Sequence, residues 1–253
     1  MKMWEQKFLV EIMKKQFCIL RVDGKAFHTY TKRFQNRFSL DMIKAMNDTA
    51  KELLCKVQGS LLVYVQSDEI SVLFSDTSSP NAEAWYGNNM QKIASVGASI
   101  ATATFNGSIA KAFYNAPEIC DTPALFDARV FSMPEDDLPN YFLWRMRDAN
   151  SNALQSFARQ YFSHKELQNV DNDGLRQMLL LDAGISYTEG LGERERLGAV
   201  FIKKLKDVIT DEGDLLSRKV IEEIKLENNC YVNWKNVIDS SIFNSQQLQH
   251  KTK

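Results

Sequence analysis

Three acidic side chains carry the most chemistry this sequence offers. Asp23 follows the apolar run at residues 16–22 (QFCILRV) and precedes Gly24. Asp68 and Glu69 sit in a polar break, Gln66-Ser67-Asp68-Glu69, between the apolar runs 60–65 (SLLVYV) and 70–74 (ISVLF). Carboxylates that converge on one point can hold Mg²⁺, a hard cation that takes oxygen ligands and keeps waters for substrate phosphates. Two such ions stabilise the attacking and leaving oxygens of an in-line displacement. Nucleotidyl transfer needs that chemistry, because most of its catalysis is positioning and charge neutralisation. Each motif alone also fits an ordinary solvated turn.

Gly24 lets the backbone approach a ligand closely. The amides of Lys25, Ala26, Phe27 and His28 come next, in a stretch that reads as a tight turn, and successive amides of this kind can cradle a triphosphate. Lys25 adds a point charge suited to phosphate.

These acids must be positioned by strands. The run at 16–22 reads as a buried strand that stops at Asp23-Gly24. Ser39 is placed to cap a helix whose apolar positions Met42, Ile43, Met46, Ala50, Leu53 and Leu54 recur at helical spacing. Runs 60–65 and 70–74 form a hairpin with Asp68 and Glu69 at its tip. A second long helix is predicted over about 85–104 and a fourth strand over 126–131 (FDARVF). The order strand, helix, strand, strand, helix, strand predicts an α+β fold: a ferredoxin-like βαββαβ antiparallel sheet of the polymerase-palm type, with its helices on one face. The first and third strands are then central neighbours, which brings Asp23 to the hairpin tip. Residues 1–133 read as this catalytic core. Residues 134–253 read as a mainly helical extension packed on it, opening with a helix over about 134–162.

Composition agrees with an ordinary globular chain. Of 253 residues, 44% are hydrophobic and 25% charged. Lys and Arg total 31 against 32 Asp and Glu, a net charge of −1. Any phosphate-binding surface is therefore local. The cysteines at 18, 55, 120 and 230 form no CxxC pair. That argues against a zinc site and suits a reducing cytoplasm, with Cys18 and Cys55 as small buried apolar residues. The first ten residues lack the apolar core of a signal peptide, and no apolar run is long enough for a membrane span.

Five motifs in order resemble the tRNA-His guanylyltransferase family. They are Arg21-Val-Asp-Gly-Lys-Ala-Phe-His28, Gln66-Ser-Asp-Glu69, Phe126-Asp-Ala-Arg-Val-Phe131, Trp144-Arg145-x-x-Asp148 and Ser163-His-Lys-Glu-Leu167. The resemblance spans roughly residues 16 to 170. It implies two metals held by Asp23, the Gly24 carbonyl and Asp68, with Glu69 beside them. It implies triphosphate contacts from the Gly24–His28 turn and Ser67, and places Arg37 where the family usually carries a lysine near the activating nucleotide. Family members act on tRNA 5′ ends, with ATP activating a 5′ phosphate before a nucleotide such as GTP is added, commonly as tetramers.

The eukaryotic branch carries a His-Ile-Asn-Asn type block after the Trp-Arg motif. Here residues 149–154 read ANSNAL, which looks like the guanylyltransferase-like branch that repairs truncated tRNA 5′ ends by templated addition. Phe38 replaces a usual proline, and Lys25-Ala26 a common Arg-Gly. These departures leave the metal ligands in place and bear on nucleotide preference.

Further candidates for tRNA or phosphate contact are Arg129, the helix-face set Arg145, Asp148 and Asn152, the pair His164 and Lys165, and a basic stretch of Lys203, Lys204 and Lys206 with Arg194 and Arg196. Lys32 and Arg33 extend the same expectation. A palm-fold nucleotide cyclase and a non-catalytic nucleotide- or RNA-binding module are the alternatives. A diguanylate cyclase would carry a Gly-Gly-Asp/Glu hairpin, where this chain has Ser67-Asp68-Glu69.

Overall fold

The computed structural model describes residues 10–12, 14–34, 39–77, 82–209, 215–226 and 231–250. Six strands make one antiparallel sheet: β1 (Phe17–Gly24), β2 (Ser60–Gln66), β3 (Glu69–Ser75), β4 (Phe126–Met133), β5 (Ala199–Ile209) and β6 (Leu215–Ile224). Among the described residues eight α-helices accompany them: α1 (Phe27–Tyr30), α2 (Leu40–Lys56), α3 (Met90–Ala112), α4 (Leu138–Ala158), α5 (Asn172–Leu181), α6 (Tyr187–Gly190), α7 (Glu193–Leu197) and α8 (Tyr231–His250). None among the described residues is long and apolar enough to cross a membrane.

The strand order is β4-β1-β3-β2-β5-β6. β1 pairs with β3 as the βαββαβ pattern requires, with Asp23 opposite Glu69. The hairpin turn is tighter than its four polar residues suggest. Gln66 and Glu69 pair across the strands, leaving Ser67-Asp68 as the turn, with Ser67 at φ 45°. Two-residue hairpin turns favour such positive φ values, because they match the twist of the strands.

Every residue of β2 and β3 is buried, and the period-2 alternation of a strand explains how. Val63, Val65, Ile70 and Val72 pack with Met46, Leu53 and Phe105 from α2 and α3. Leu62, Tyr64 and Leu73 point the other way, onto Phe142 and Met146 of α4 and Trp234 of α8. The sheet is thus covered on both faces, the second cover coming from the C-terminal half. Gly97 shows how closely α3 approaches the first face: a Cβ there would lie 2.8 Å from a Leu20 methyl.

That C-terminal half contains five helices and, beyond what its sequence announces, the two longest strands. β5 joins the edge of β2 through Leu62 opposite Ile202 and Val65 opposite Ala199, and β6 pairs along β5. The charged residues of β5 (Lys203, Lys204, Lys206, Asp207) interrupt the apolar alternation that marks a strand. Ser39 precedes α2 but makes no side-chain cap; its carbonyl accepts from Ile43 N at 3.0 Å. Cys18 is buried, and burial, with the nearby charge of Asp76, pushes its thiol up to about 12. Cys55, expected inside, is exposed, and Cys230 lies outside the described residues.

Candidate active site

The end of β1 is tied to the hairpin tip by backbone. Gly24 N donates to the Asp68 carbonyl at 3.1 Å, and Lys25 N to the Leu125 carbonyl at 2.8 Å. The chain then turns through Ala26 in the left-handed region, φ 54°, into the short α1. The Phe27 ring leaves room for nothing larger than glycine at position 24. A Cβ there would lie 2.2 Å from that ring, and the ring is locked among Tyr30, Phe105 and Phe126 at centroid distances of 5.1, 5.4 and 5.1 Å.

The result is a cleft of about 580 Å³ whose lining includes Asp23, Gly24, His28, Ser67, Asp68 and Arg194. Ala26, Phe27, Glu69, Arg145, Asp148 and Asn152 also reach it. The Lys25 amide is spent on Leu125, so it is not part of any cradle, and Lys25 does not line the cleft. The amides of Ala26, Phe27 and His28 lie at the start of α1, where helical carbonyls cannot reach.

Asp23 and Asp68 are both incompletely exposed, and neither has a salt-bridge partner among the described residues. Burial raises the pKa of Asp23, with the charge of Asp127 adding to the rise while Arg21, Arg129 and Arg145 oppose it. Burial likewise raises that of Asp68. The Ser67 hydroxyl, which donates to Asp68 Oδ1 at 3.0 Å, opposes the rise, and Asp23 and Glu69 reinforce it. No cluster of three or more His, Cys, Asp and Glu side chains is found among the described residues. Two carboxylates without a salt bridge among the described residues, with Gly24 beside them in the lining, still form a donor set that fits Mg²⁺, because that ion completes its shell with water and phosphate.

Glu69 behaves differently from its neighbour. The sequence groups it with the metal-binding acids, but both of its oxygens are taken by Arg145: Nε donates at 2.7 Å and Nη2 at 2.5 Å. Both residues are 6% exposed. Burial works against the charged guanidinium, yet the hydrogen bonds and charge of Glu69 outweigh it and raise the pKa of Arg145. Arg145 also contacts Asp148 at 3.2 Å and lies 4.5 Å from the Trp144 ring centroid. Instead of a free phosphate contact, it is a clamp that ties α4 to the hairpin. Asn152 Nδ2 donates to Asp148 at 3.5 Å, so the expected helix face does reach the cleft.

Comparison with known proteins bears on what this cleft does. The family model described as Thg1, tRNAHis guanylyltransferase, matches residues 1–134. The tRNA(His) guanylyltransferase of Saccharomyces cerevisiae is 24% identical over 227 residues, 84% of this chain and 90% of that protein. A bacterial tRNA(His) guanylyltransferase (Thg1)-like protein, solved in complex with ATP, is 32% identical with a TM-score of 0.76 over 87% of this chain and 89% of that one. A structure of such a bacterial protein in complex with GTP gives 31% identity and a TM-score of 0.67 over 87% and 88%. The chain belongs to the tRNA(His) guanylyltransferase family. It is a nucleotidyltransferase.

Not every candidate from the sequence of this guanylyltransferase-family chain reaches the cleft. Arg37 lies outside the described residues. Arg129 is exposed on β4, opposite Arg21, and acts on Asp23 only through its charge. His164 and Lys165 are exposed in the turn after α4 and do not line the cleft. Arg33 is held by the carbonyls of Tyr30, Ile119 and Thr122. Lys203 donates to Ser60 Oγ at 2.7 Å and Lys204 pairs with Glu222, both away from the cleft.

Of the basic stretch expected to face tRNA, Arg194 is the member that lines the cleft. In the structure its Nη2 donates to Asn47 Oδ1 on α2 at 2.6 Å, and its Nε is buried without a partner among the described residues. Burial lowers its pKa, opposed by Tyr64, Glu223 and Glu195. The cleft lining also includes Arg159, at the end of α4.

Proposed function

We propose that this chain extends the 5′ end of tRNA in the 3′-to-5′ direction, by templated repair of a truncated end or by guanylate addition to histidine tRNA. The observation that carries this reading is the pairing of two partly buried carboxylates, Asp23 and Asp68, with a half-buried and incompletely bonded Arg194 in one cleft. The carboxylates suit metal-bound phosphates and the guanidinium suits a phosphate directly. The bacterial relatives with bound ATP and GTP support nucleoside triphosphates as substrates.

In this reading, Asp23, Asp68 and the Gly24 carbonyl would hold two Mg²⁺ ions, which would supply charge neutralisation for the phosphate oxygens. The 5′ phosphate of the tRNA attacks the α-phosphorus of ATP and releases pyrophosphate. The 3′-hydroxyl of an incoming nucleotide then attacks the activated 5′ phosphate and releases AMP. The Ala26–His28 amides and Ser67 orient the triphosphate, and Arg159 and Arg194 take tRNA or leaving-group phosphate. Glu69 and Arg145 act through position, by holding the hairpin against α4. The working unit is a homotetramer in the cytoplasm.

The test uses purified protein, Mg²⁺, labelled nucleoside triphosphates and a tRNA lacking its first 5′ nucleotide, beside the Asp68→Ala variant. Extension complementary to the opposite strand, lost in the variant, is expected. No extension with either a 5′ monophosphate plus ATP or a 5′ triphosphate would overturn the reading. Light scattering of the same sample checks the tetramer.

A further inference from the structure

A second cavity, of about 390 Å³, opens between the C-terminal end of α2, the β5–β6 ribbon and α8. Its polar lining is Cys55, Ser60, Lys203, Lys219, Ser241 and Ser245, with no carboxylate among the described residues that form it. We propose that this cavity is a second ligand site, which binds a small phosphomonoester through Lys203 and Lys219.

The strand register places the two lysines on one face. Lys203 faces Ile221 and Lys219 faces Leu205, so the two lysines lie diagonally on one face of the ribbon. Diagonal neighbours of that kind are within reach of long side chains. Two like charges there oppose each other unless an anion lies between them. Lys203 is also pulled out of water: burial lowers its pKa, and the charge of Lys219 lowers it further against an opposing effect of Cys55.

The protein supplies one neutral partner. Lys203 Nζ donates to Ser60 Oγ at 2.7 Å, and the Ser60 hydroxyl donates in turn to the Leu54 carbonyl at 2.6 Å. This fixes the ammonium at the cavity wall without neutralising it. The neighbouring lysine shows what the fold does when it matches a charge internally. Lys204, on the opposite face, meets Glu222 at 3.1 Å. Neither Lys203 nor Lys219 has a salt-bridge partner among the described residues.

Two ammonium groups lining one cavity match the double charge of a phosphomonoester better than the single charge of a carboxylate or a phosphodiester. The rest of the wall is apolar, with Leu61, Val220 and Ile221 available to an organic body. A volume of this size is in the range of small-molecule pockets, about 300–1,000 Å³.

The cavity stands apart from the catalytic cleft. Met42 of α2 lines the cleft and Cys55 lines the cavity. That separation along a helix is about 20 Å at 1.5 Å per residue. Along β2, Gln66 lies at the cleft and Ser60 at the cavity, again about 20 Å at some 3.3 Å per residue. One small molecule cannot occupy both.

The experiment is calorimetric titration of the full chain with ribose 5-phosphate and with ribose, without Mg²⁺. Lys203→Met, Lys219→Met, the double variant and Asp68→Ala are titrated alongside, and each is checked for folding by circular dichroism. Saturable binding of the phosphate but not the bare sugar is expected. It should weaken at least tenfold in each lysine variant, vanish in the double variant, and persist in Asp68→Ala. Absence of binding at millimolar concentration overturns the site. So does binding that the lysine variants leave unchanged. If the lysine variants weaken tRNA retention on filters while ribose 5-phosphate never binds, the surface instead serves tRNA phosphodiesters and the proposal fails.

Discussion

The two ends of α2 and β2 present opposite electrostatic problems, and between them lies a third arrangement that has neither. At the cleft, Asp23 and Asp68 are drawn out of water with no salt-bridge partner among the described residues. At the far end, Lys203 is drawn out of water beside a second lysine. Next to Asp68, Glu69 is more deeply buried than either aspartate, yet Arg145 binds both of its oxygens. The same sheet therefore neutralises a buried charge fully where the charge serves the fold. It leaves charge unmatched where a cavity opens to solvent. Burying an ion without a partner is costly, so unmatched charge beside a cavity marks a place where a ligand completes the structure.

The comparison breaks first on the aspartates. Asp68→Asn is expected to lower 5′-extension at least about 10³-fold, some 4 kcal/mol of transition-state stabilisation, while the melting temperature at pH 7 holds or rises. Its folded pKa lies above the unfolded one. The folded state therefore binds the extra proton, and the wild type carries a penalty above the folded pKa that fades as pH falls toward about 3.9. Removing the charge removes that penalty. A melting temperature that collapses along with activity would show that Asp68 serves the fold.

Arg145→Met sharpens the contrast from the other side. It strands the Glu69 carboxylate, and the loss of one partner of a buried pair costs about 3–5 kcal/mol. The readout is chemical denaturation, where the midpoint should fall with little change in slope. Adding Glu69→Gln to Arg145→Met should recover part of the loss. No recovery would mean that Arg145 works by packing on Trp144 and that the charge match is incidental.

These contrasts also explain what the sequence discloses. Asp23 and the hairpin acids are legible because each comes after an apolar run that ends abruptly, and strand order alone then brings them together. The pairing of Asp23 with Glu69 across β1 and β3 is a direct consequence. Partners from distant segments are not legible. Arg145 shows its helical face but not that Glu69 has claimed it. Arg194 sits in a run of alternating charge, and only the tertiary contact with Asn47 takes it out of solvent. β5 and β6 escape for a similar reason: Lys204 and Glu222 form a cross-strand ion pair, which stabilises a ribbon while hiding its hydrophobic period.

Gly24 tests whether the cleft depends on the backbone as well as on charge. Gly24→Ala places a methyl group 2.2 Å from the Phe27 ring position. Phe27 is 4% exposed and wedged between other rings, so the turn must shift. Overpacking of this kind costs about 1–3 kcal/mol. Nucleotide affinity should fall with it, read as a higher KM for the triphosphate. An unchanged KM in a destabilised variant would separate the Gly24 turn from triphosphate binding.

The smallest effect is expected at the cationic end. Lys203→Met replaces a desolvated ammonium with an apolar chain of similar length, and should stabilise the ligand-free protein by about 1 kcal/mol, roughly 2–4 °C in melting temperature for a chain of this size. Linkage sets the sign. The folded pKa of Lys203 lies below its unfolded value, so the unfolded state binds the extra proton. The wild-type penalty is full below the folded pKa and disappears as pH rises toward about 10.4. The stabilising effect of Lys203→Met should therefore shrink as pH rises from neutrality toward about 10.4, measured by calorimetric melting at several pH values. A substitution that destabilises the protein equally at all pH values would mean that the hydrogen bond to Ser60 outweighs the desolvation of Lys203. The two ends of α2 would then differ in kind as well as in sign.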